Sequence, residues 1–151
     1  MADNQELEAR LRRLEDLAEI QQLLIDYGRH LDRGDFAAYA ALFAEEAELL
    51  LGPVARAKGR AEIEAVMTKA LAGHVGSSLH IISSPIIQLD GDRATAEVMW
   101  TALHRDGEGR PVVSMVGRHL DDLVREDGRW RFRRRRGVID IPSTYLRAAS
   151  D

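Results

Sequence analysis

Residues 27–49 read YGRHLDRGDFAAYAALFAEEAEL, and this stretch decides the fold. It closes a long helix at Gly34, starts a short helix at the capping residue Asp35, and leads into a strand. Tyr27 and Asp32 stand five residues apart in its first part. Because a helix turns by about 100° per residue, these side chains lie on different faces unless the helix ends there. Gly34 predicts that ending, which would turn Asp32 inward.

Upstream of this stretch, the sequence predicts a long amphipathic helix capped by Asp3 or Asn4, with Gly28 as a candidate kink. Its apolar residues recur at steps of three and four, and they are Leu7, Leu11, Leu14, Leu17, Ile20, Leu24, Tyr27 and Leu31. Downstream, the pattern predicts a helix over 36–43, a strand over 47–51 stopped by Gly52-Pro53, and a helix over 60–72 closed by Gly73.

The second half of the chain predicts antiparallel sheet. Four strand-like runs cover about 78–89, 93–105, 111–125 and 129–141, and a turn with Asp-Gly lies between each pair. Asp-Gly between alternating apolar runs is a strong hairpin signal. Helices followed by long strands indicate an α+β domain with helices on one face of a curved sheet. We expect a single domain over 1–151, with its core at about 10–141 and a loosely held tail at 144–151.

Composition excludes several classes of protein. A chain of 151 residues fits one domain with a sizeable core. Its net charge of −4 offers no general attraction for nucleic acid or anionic membranes. It contains no cysteine, which removes disulfides and thiolate metal sites. No apolar run approaches the roughly 18 residues of a membrane span, and the first residues lack a signal-peptide core. We therefore expect a cytoplasmic protein.

Four segments of the chain resemble the nuclear transport factor 2-like superfamily, and within it the SnoaL-like proteins. They are YGRHLDRGDFAAYAALFAEEAEL, KGRAEIEAVM, HIISSPIIQLDGDRATAEV and GRHLDDLVREDGRWRF. The resemblance covers about 10–141 and implies a cone, in which a curved antiparallel sheet wraps around the N-terminal helices and leaves a deep apolar pocket. The superfamily contains isomerases, dehydratases, cyclases, epoxide hydrolases and binding modules, so the fold alone does not fix a function.

Three enzyme groups in this superfamily suggest site residues: scytalone dehydratases, bile acid 7α-dehydratases and hexachlorocyclohexane dehydrochlorinases. Their paired aspartate and histidine match Asp32 and His80, which stand 48 residues apart here. The tyrosine of the bile acid enzymes matches Tyr27. Arg135 is similar in position to the arginine of the dehydrochlorinases, and His104 is the rough counterpart of the second histidine of scytalone dehydratases. The resemblance thus implies a catalytic set of Tyr27, Asp32 and His80.

These three residue types can move a proton from carbon to a leaving oxygen without a metal or cofactor. A carboxylate bonded to one ring nitrogen of a histidine fixes the tautomer and leaves the other nitrogen as the base. We therefore predict a dehydratase-type lyase that acts on a small apolar, cyclic hydroxy-carbonyl compound. Alternatives are a polyketide cyclase or isomerase, or a binding protein in which Asp32 is a turn residue and His80 and Tyr27 are core residues.

The wall of the substrate pocket has five further candidates. The alternation of the 93–105 strand places Trp100 and His104 on its more apolar face. We expect these two, with Arg135, Phe43 and Met115, to bind the substrate, and His119 is another pocket-lining candidate. Arginines 133–136 alternate between faces, which argues against a nucleic-acid patch. No short metal-ligand spacing supports a metal at Asp32, His80 and His104, and we expect none.

The chain is also expected to self-associate. The strands over 93–105 and 111–125 carry apolar residues on both parities, such as Met99 and Leu103 against Val98 and Trp100. One face covers the helices and the pocket, so the other needs a partner. We predict a homodimer or homotrimer with a small-molecule substrate, and no nucleic-acid or membrane partner.

Overall fold

The structure is a computed structural model, and it describes residues 2–53 and 55–141. The expected tail at 144–151 lies outside the described residues. Helices and strands follow in the order α1 (Ala2–Arg33), α2 (Phe36–Ala41), β1 (Phe43–Leu50), β2 (Arg56–Lys58), α3 (Arg60–Leu71), a 3-10 turn (Ala72–His74), β3 (Ser78–Asp90), β4 (Arg93–Arg105), β5 (Pro111–Glu126) and β6 (Arg129–Ile141).

The strands form one curved, unclosed sheet in the order β2-β1-β6-β5-β4-β3. Strands β3 to β6 are an antiparallel meander, as the Asp-Gly turns predict. The α+β class is therefore confirmed, but the purely antiparallel sheet is wrong in one place. Strand β1 pairs with β6 in parallel, which makes the sheet mixed. Turn residues report only on neighbouring strands, so this long-range pairing leaves no local signal in the sequence.

Helix α1 packs against the inner face of the sheet through its second half. Its buried apolar residues are Ile20, Leu23, Leu24, Tyr27 and Leu31. Burying each such side chain contributes about 1.5–3 kcal/mol. The leucines of the first turns, Leu7, Leu11 and Leu14, are exposed. The helix continues through Gly28, where a Cβ would lie 3.0 Å from Cγ1 of Ile82, so the glycine allows α1 to approach β3 closely.

Helix α1 ends in a Schellman motif, which confirms the stop predicted at Gly34. Gly34 has φ of +73°, the left-handed conformation that glycine adopts without strain. The Asp35 N–H donates to the carbonyl of His30 at 2.9 Å, and the Gly34 N–H donates to that of Leu31 at 3.1 Å. Asp35 then caps α2, because its Oδ1 accepts from the Ala38 N–H at 3.2 Å.

Two boundaries differ from the sequence prediction. Helix α2 ends at Ala41 and β1 begins at Phe43, four residues earlier than expected. Alanine-rich sequence favours helix there, but Phe43, Ala44 and Ala47 are buried as parts of the strand. The three-residue strand β2 was not predicted, since so short a segment carries no periodicity. Among the described residues, no helix is long and apolar enough to cross a membrane.

Candidate functional site

Asp32 and His80 form a hydrogen-bonded pair at the end of α1. Oδ1 of Asp32 lies 2.8 Å from Nδ1 of His80, and the backbone N–H of His80 donates to both carboxylate oxygens at 3.1 Å. The side chains are 14% and 19% exposed, respectively. With Nδ1–H facing the carboxylate, the lone pair of Nε2 is the available base. The structure thus brings together the two residues that the sequence places 48 positions apart.

A cleft of about 400 Å³ opens beside Asp32, and His80 is not among the residues that line it. Asp32 and His104 both line it, together with Ser77, Ser78 and the apolar Leu103. His104 itself is exposed, although it shares the inner sheet face with Trp100. It lies one residue before the end of β4, so it forms part of the rim of the cleft and not the deep wall expected from the sequence.

Tyr27 lies deeper, in a cluster of aromatic rings. Its ring centroid is 5.0 Å from that of Tyr39, 5.1 Å from that of His119 and 5.9 Å from that of Phe132. Burial raises the pKa of Tyr27 above its ordinary value, and the nearby charge of Arg135 opposes that rise. The phenol is therefore protonated at neutral pH and can act as a hydrogen-bond donor.

Arg135 is completely buried behind Tyr27. Its Nε donates to Oδ1 of Asp121 at 2.7 Å and its Nη2 to Oδ2 at 2.6 Å. The guanidinium carbon stands 4.0 Å from the ring centroids of both Tyr27 and Phe132. Two of its three nitrogens are thus engaged inside the core. Burial raises the pKa of Asp121 despite the charge of the guanidinium.

A β-bulge interrupts the alternation of side chains in this strand. Phe132 pairs with Leu123, and Arg134 pairs with the preceding Asp122, so the register skips Arg133. Phe132 and Arg135 consequently share the inner face, although their parities differ.

Trp100 and His119 form a buried stacked pair on the inner face of the sheet. Their ring centroids are 5.7 Å apart at an interplanar angle of 27°. Nε1 of Trp100 and Nδ1 of His119 are buried and have no hydrogen-bond partner among the described residues. Burial, helped by the charges of Arg135 and His80, holds the pKa of His119 well below its ordinary value. His119 was a pocket-lining candidate in the sequence because the proteins that the chain resembles often carry tyrosine at its position.

The remaining two candidates for substrate binding differ in their surroundings. Phe43 has no exposed surface and packs between Tyr39 and Phe132, at ring distances of 5.3 and 5.2 Å, so it belongs to the core. Met115 is half-buried and stands opposite Ala102, which in turn stands opposite His80. Met115 therefore lies two strands away from the histidine on the same face.

A metal centre would need several ligating side chains in one place. Within residues 2–53 and 55–141, no group of three or more His, Asp or Glu side chains is placed to hold an ion. That the protein needs no metal stays a prediction.

Comparisons with known proteins identify the family. Residues 12–136 match the family model described as the SnoaL-like domain. A search of curated proteins found no match. Among solved structures, a nuclear transport factor 2-like protein with a cystatin-like fold from Novosphingobium aromaticivorans is 31% identical, with a TM-score of 0.82 over 96% of this chain and 95% of that chain.

Two further structures are similar along most of the chain. The protein Aln2 from a Streptomyces species is 26% identical, with a TM-score of 0.77 over 89% of this chain and 96% of that one. A candidate scytalone dehydratase from Novosphingobium aromaticivorans is 26% identical, with a TM-score of 0.68 over 93% of this chain and 89% of that one. Since the family model spans most of its length, this chain belongs to the SnoaL-like family and has the nuclear transport factor 2-like fold.

Proposed function

We propose that this protein is a cofactor-independent lyase that eliminates water from a small apolar, cyclic hydroxy-carbonyl compound. The observation that carries the proposal is the 2.8 Å bond between Asp32 and His80, in which Asp32 lines an open cleft. A histidine oriented by a largely buried carboxylate is an arrangement for general-base catalysis. The similarity to a candidate scytalone dehydratase supports the same class of reaction.

In this mechanism, Nε2 of His80 removes a proton from the carbon next to the carbonyl group, or next to a double bond that is conjugated with it. The electron pair of that C–H bond moves through the new C=C bond onto the carbonyl oxygen, while Asp32 stabilises the imidazolium. When the enolate collapses, the C–O bond of the neighbouring carbon breaks. The departing hydroxide takes the proton back from His80 and leaves as water. Each such proton transfer contributes about 10²–10⁴-fold to the rate.

Tyr27 supplies a neutral hydrogen-bond donor to this reaction. Because its phenol stays protonated at neutral pH, it can donate to the leaving hydroxyl or to the developing enolate oxygen without adding charge.

The test compares Asp32→Asn and His80→Ala with the matched surface variants Asp90→Asn and His74→Ala, whose side chains are exposed. A thermal-shift screen of steroids, aromatic polyketides and cyclic hydroxy-ketones supplies substrates, and turnover is followed by the absorbance of the enone product. Both site variants should fold and lose about 10²–10⁴-fold in turnover, while the surface variants keep wild-type rates. A site variant with wild-type turnover would contradict the mechanism. Ligands that bind but never react would indicate a binding protein.

We also propose that the protein works as a homodimer or homotrimer through the outer sheet face. Leu79, Ile81, Met99 and Val113 are exposed on that face. Arg118 forms ion pairs with Glu97 and Asp140 on the same face, which suits a partly polar interface. Sedimentation at micromolar concentration should give a multiple of 16.9 kDa, and the monomer mass would refute this proposal.

A further inference from the structure

The stacked pair of Trp100 and His119 holds two polar atoms that the fold leaves unsatisfied. The side chains are only 7% and 5% exposed, and Nε1 of Trp100 and Nδ1 of His119 have no partner in the described part of the chain. A buried donor without a partner costs about 1–3 kcal/mol, so such groups are rare unless something binds them.

Two glycines stand beside the stacked pair. A Cβ at Gly117 would lie 2.7 Å from Cζ2 of Trp100. Gly137 stands opposite His119 in the sheet, and a Cβ there would lie 3.7 Å from Cδ2 of His119 and 2.8 Å from Cδ2 of Leu51. A Cβ at position 117 would collide with the indole ring of Trp100, whereas a Cβ at position 137 would collide with Leu51 and make only ordinary contact with His119. The absence of a side chain at Gly117 therefore leaves room in the sheet for the indole ring of Trp100.

The pair adjoins the proposed catalytic residues. Trp100 stands two residues before Ala102, which is opposite His80, so Trp100 is one inner-face position away from the base. Two residues along a strand span about 6.8 Å. His119 makes an edge-on contact with the ring of Tyr27 at a centroid distance of 5.1 Å. The base and the two unpartnered nitrogens therefore lie on the same inner face of the sheet, and neither Trp100 nor His119 lines the cleft beside Asp32.

His119 is suited to donate a hydrogen bond in its neutral form. Its burial and the charges of Arg135 and His80 disfavour the imidazolium, which keeps its pKa low. A neutral imidazole can polarise a carbonyl group without first losing a proton. Arg135 also has one unpartnered nitrogen, Nη1, among the described residues, but Asp121 holds its Nε and Nη2 and the guanidinium packs against the rings of Tyr27 and Phe132.

We propose that Trp100 and His119 form a subsite for the carbonyl oxygen of the substrate, and for the enolate oxygen that develops when His80 acts. This inference rests on the proposed elimination and narrows its substrate to a conjugated cyclic ketone, whose oxygen lies across the ring from the carbon that loses the proton. The enolate charge spreads through the ring to that oxygen, which accepts hydrogen bonds from Nε1–H and Nδ1–H. Tyr27 then donates a hydrogen bond to the departing hydroxyl group.

The test uses 4-nitrophenol, whose phenolate imitates a conjugated enolate, and nitrobenzene, which has the same ring without the oxygen. Binding is titrated by visible absorbance and by calorimetry. We expect the wild-type protein to bind 4-nitrophenol at least about tenfold more tightly than nitrobenzene, the fold-change that one added hydrogen bond supplies. Trp100→Phe and His119→Leu should each lose about tenfold in 4-nitrophenol affinity and leave nitrobenzene affinity within about threefold.

His119→Asn is the matched control, because its amide nitrogen can replace Nδ1 as a donor, and it should keep 4-nitrophenol affinity within about threefold of wild type. Thermal melting verifies that each variant is folded. Equal affinity of the wild type for both probes, or unchanged 4-nitrophenol affinity in folded Trp100→Phe and His119→Leu, would overturn the subsite. The titration measures binding and not turnover, so a failed catalytic mechanism and a failed subsite give different results.

Discussion

The buried pair of Arg135 and Asp121 allows a quantitative test of how desolvation sets stability. The substitution Asp121→Asn removes the carboxylate but keeps the size of the side chain. The guanidinium would then stay charged in a site with 1% side-chain exposure, facing the rings of Tyr27 and Phe132. Removing one partner of a buried ion pair costs about 3–5 kcal/mol. Since about 1 kcal/mol shifts the melting temperature of a domain of this size by about 2–4 °C, we expect a loss of about 6–20 °C.

The pair of Arg118 and Asp140 is the matched control. It has the same two-bond geometry, at 2.9 and 3.0 Å, but its side chains are 39% and 33% exposed. Asp140→Asn should cost no more than about 1 kcal/mol, because water replaces the lost partner. Urea titration measures the free energy of unfolding of both variants, and calorimetry measures their melting temperatures. Equal losses in Asp121→Asn and Asp140→Asn would refute the reasoning that burial decides the cost.

A double substitution separates the lost charge from the lost packing. Replacing both partners of a buried pair by apolar residues of similar volume is often close to neutral. Asp121→Leu combined with Arg135→Met should therefore be more stable than Asp121→Asn alone. A double variant less stable than the single one would show that the pair stabilises by more than mutual neutralisation.

Four other perturbations act on single contacts or groups. Gly117→Ala places a Cβ 2.0 Å from the Val138 carbonyl and should cost about 1–3 kcal/mol by urea titration, whereas Gly107→Ala, in open space, should be tolerated. The free energy of unfolding of the wild type should fall as the pH decreases below about 6.5, because the unfolded chain protonates His119 and the folded chain does not. In His119→Asn, the dependence of this free energy on pH should be weaker by up to about 1.4 kcal/mol per pH unit. Tyr27→Phe should lower turnover by about tenfold to a hundredfold, in steady-state assays. Turnover should survive exhaustive chelation, and loss with rescue by a divalent ion would contradict the metal-free mechanism.

Local signals in the sequence were sufficient for much of the fold. Gly34 predicted the end of α1 because the left-handed conformation there suits glycine, and the Asp-Gly turns predicted the meander of β3 to β6. The meeting of Asp32 with His80 followed from the resemblance to dehydratases. The expected helix end between Tyr27 and Asp32 was wrong, because α1 continues through both residues to Arg33. The parallel pairing of β1 with β6 was not predictable in this way, since it joins distant segments through backbone bonds that any residue can make.

The arrangement of side chains inside the site was harder to predict from the sequence. Alternation sorts side chains correctly only where the register is regular, and the bulge at Arg133 brings Phe132 onto the same face as Arg135, whereas alternation places the two on opposite faces. The pairing of Arg135 with Asp121 was not predicted. Trp100 and His119 were both pocket-lining candidates, but their stacking beside Gly117 depends on the pairing of two strands and carries no local signal in the sequence.

The backbone N–H of residue 80 has a consequence for how this scaffold can diverge. It holds both oxygens of Asp32 regardless of which side chain residue 80 carries. An exchange of the histidine would therefore change the reactive group while the carboxylate keeps its place between helix and strand. The backbone contact that holds Asp32 can therefore be kept while the side chain of residue 80 changes. One fold can thus gain or lose an activity during evolution by substitution at residue 80, while the contact between the helix and the strand stays the same.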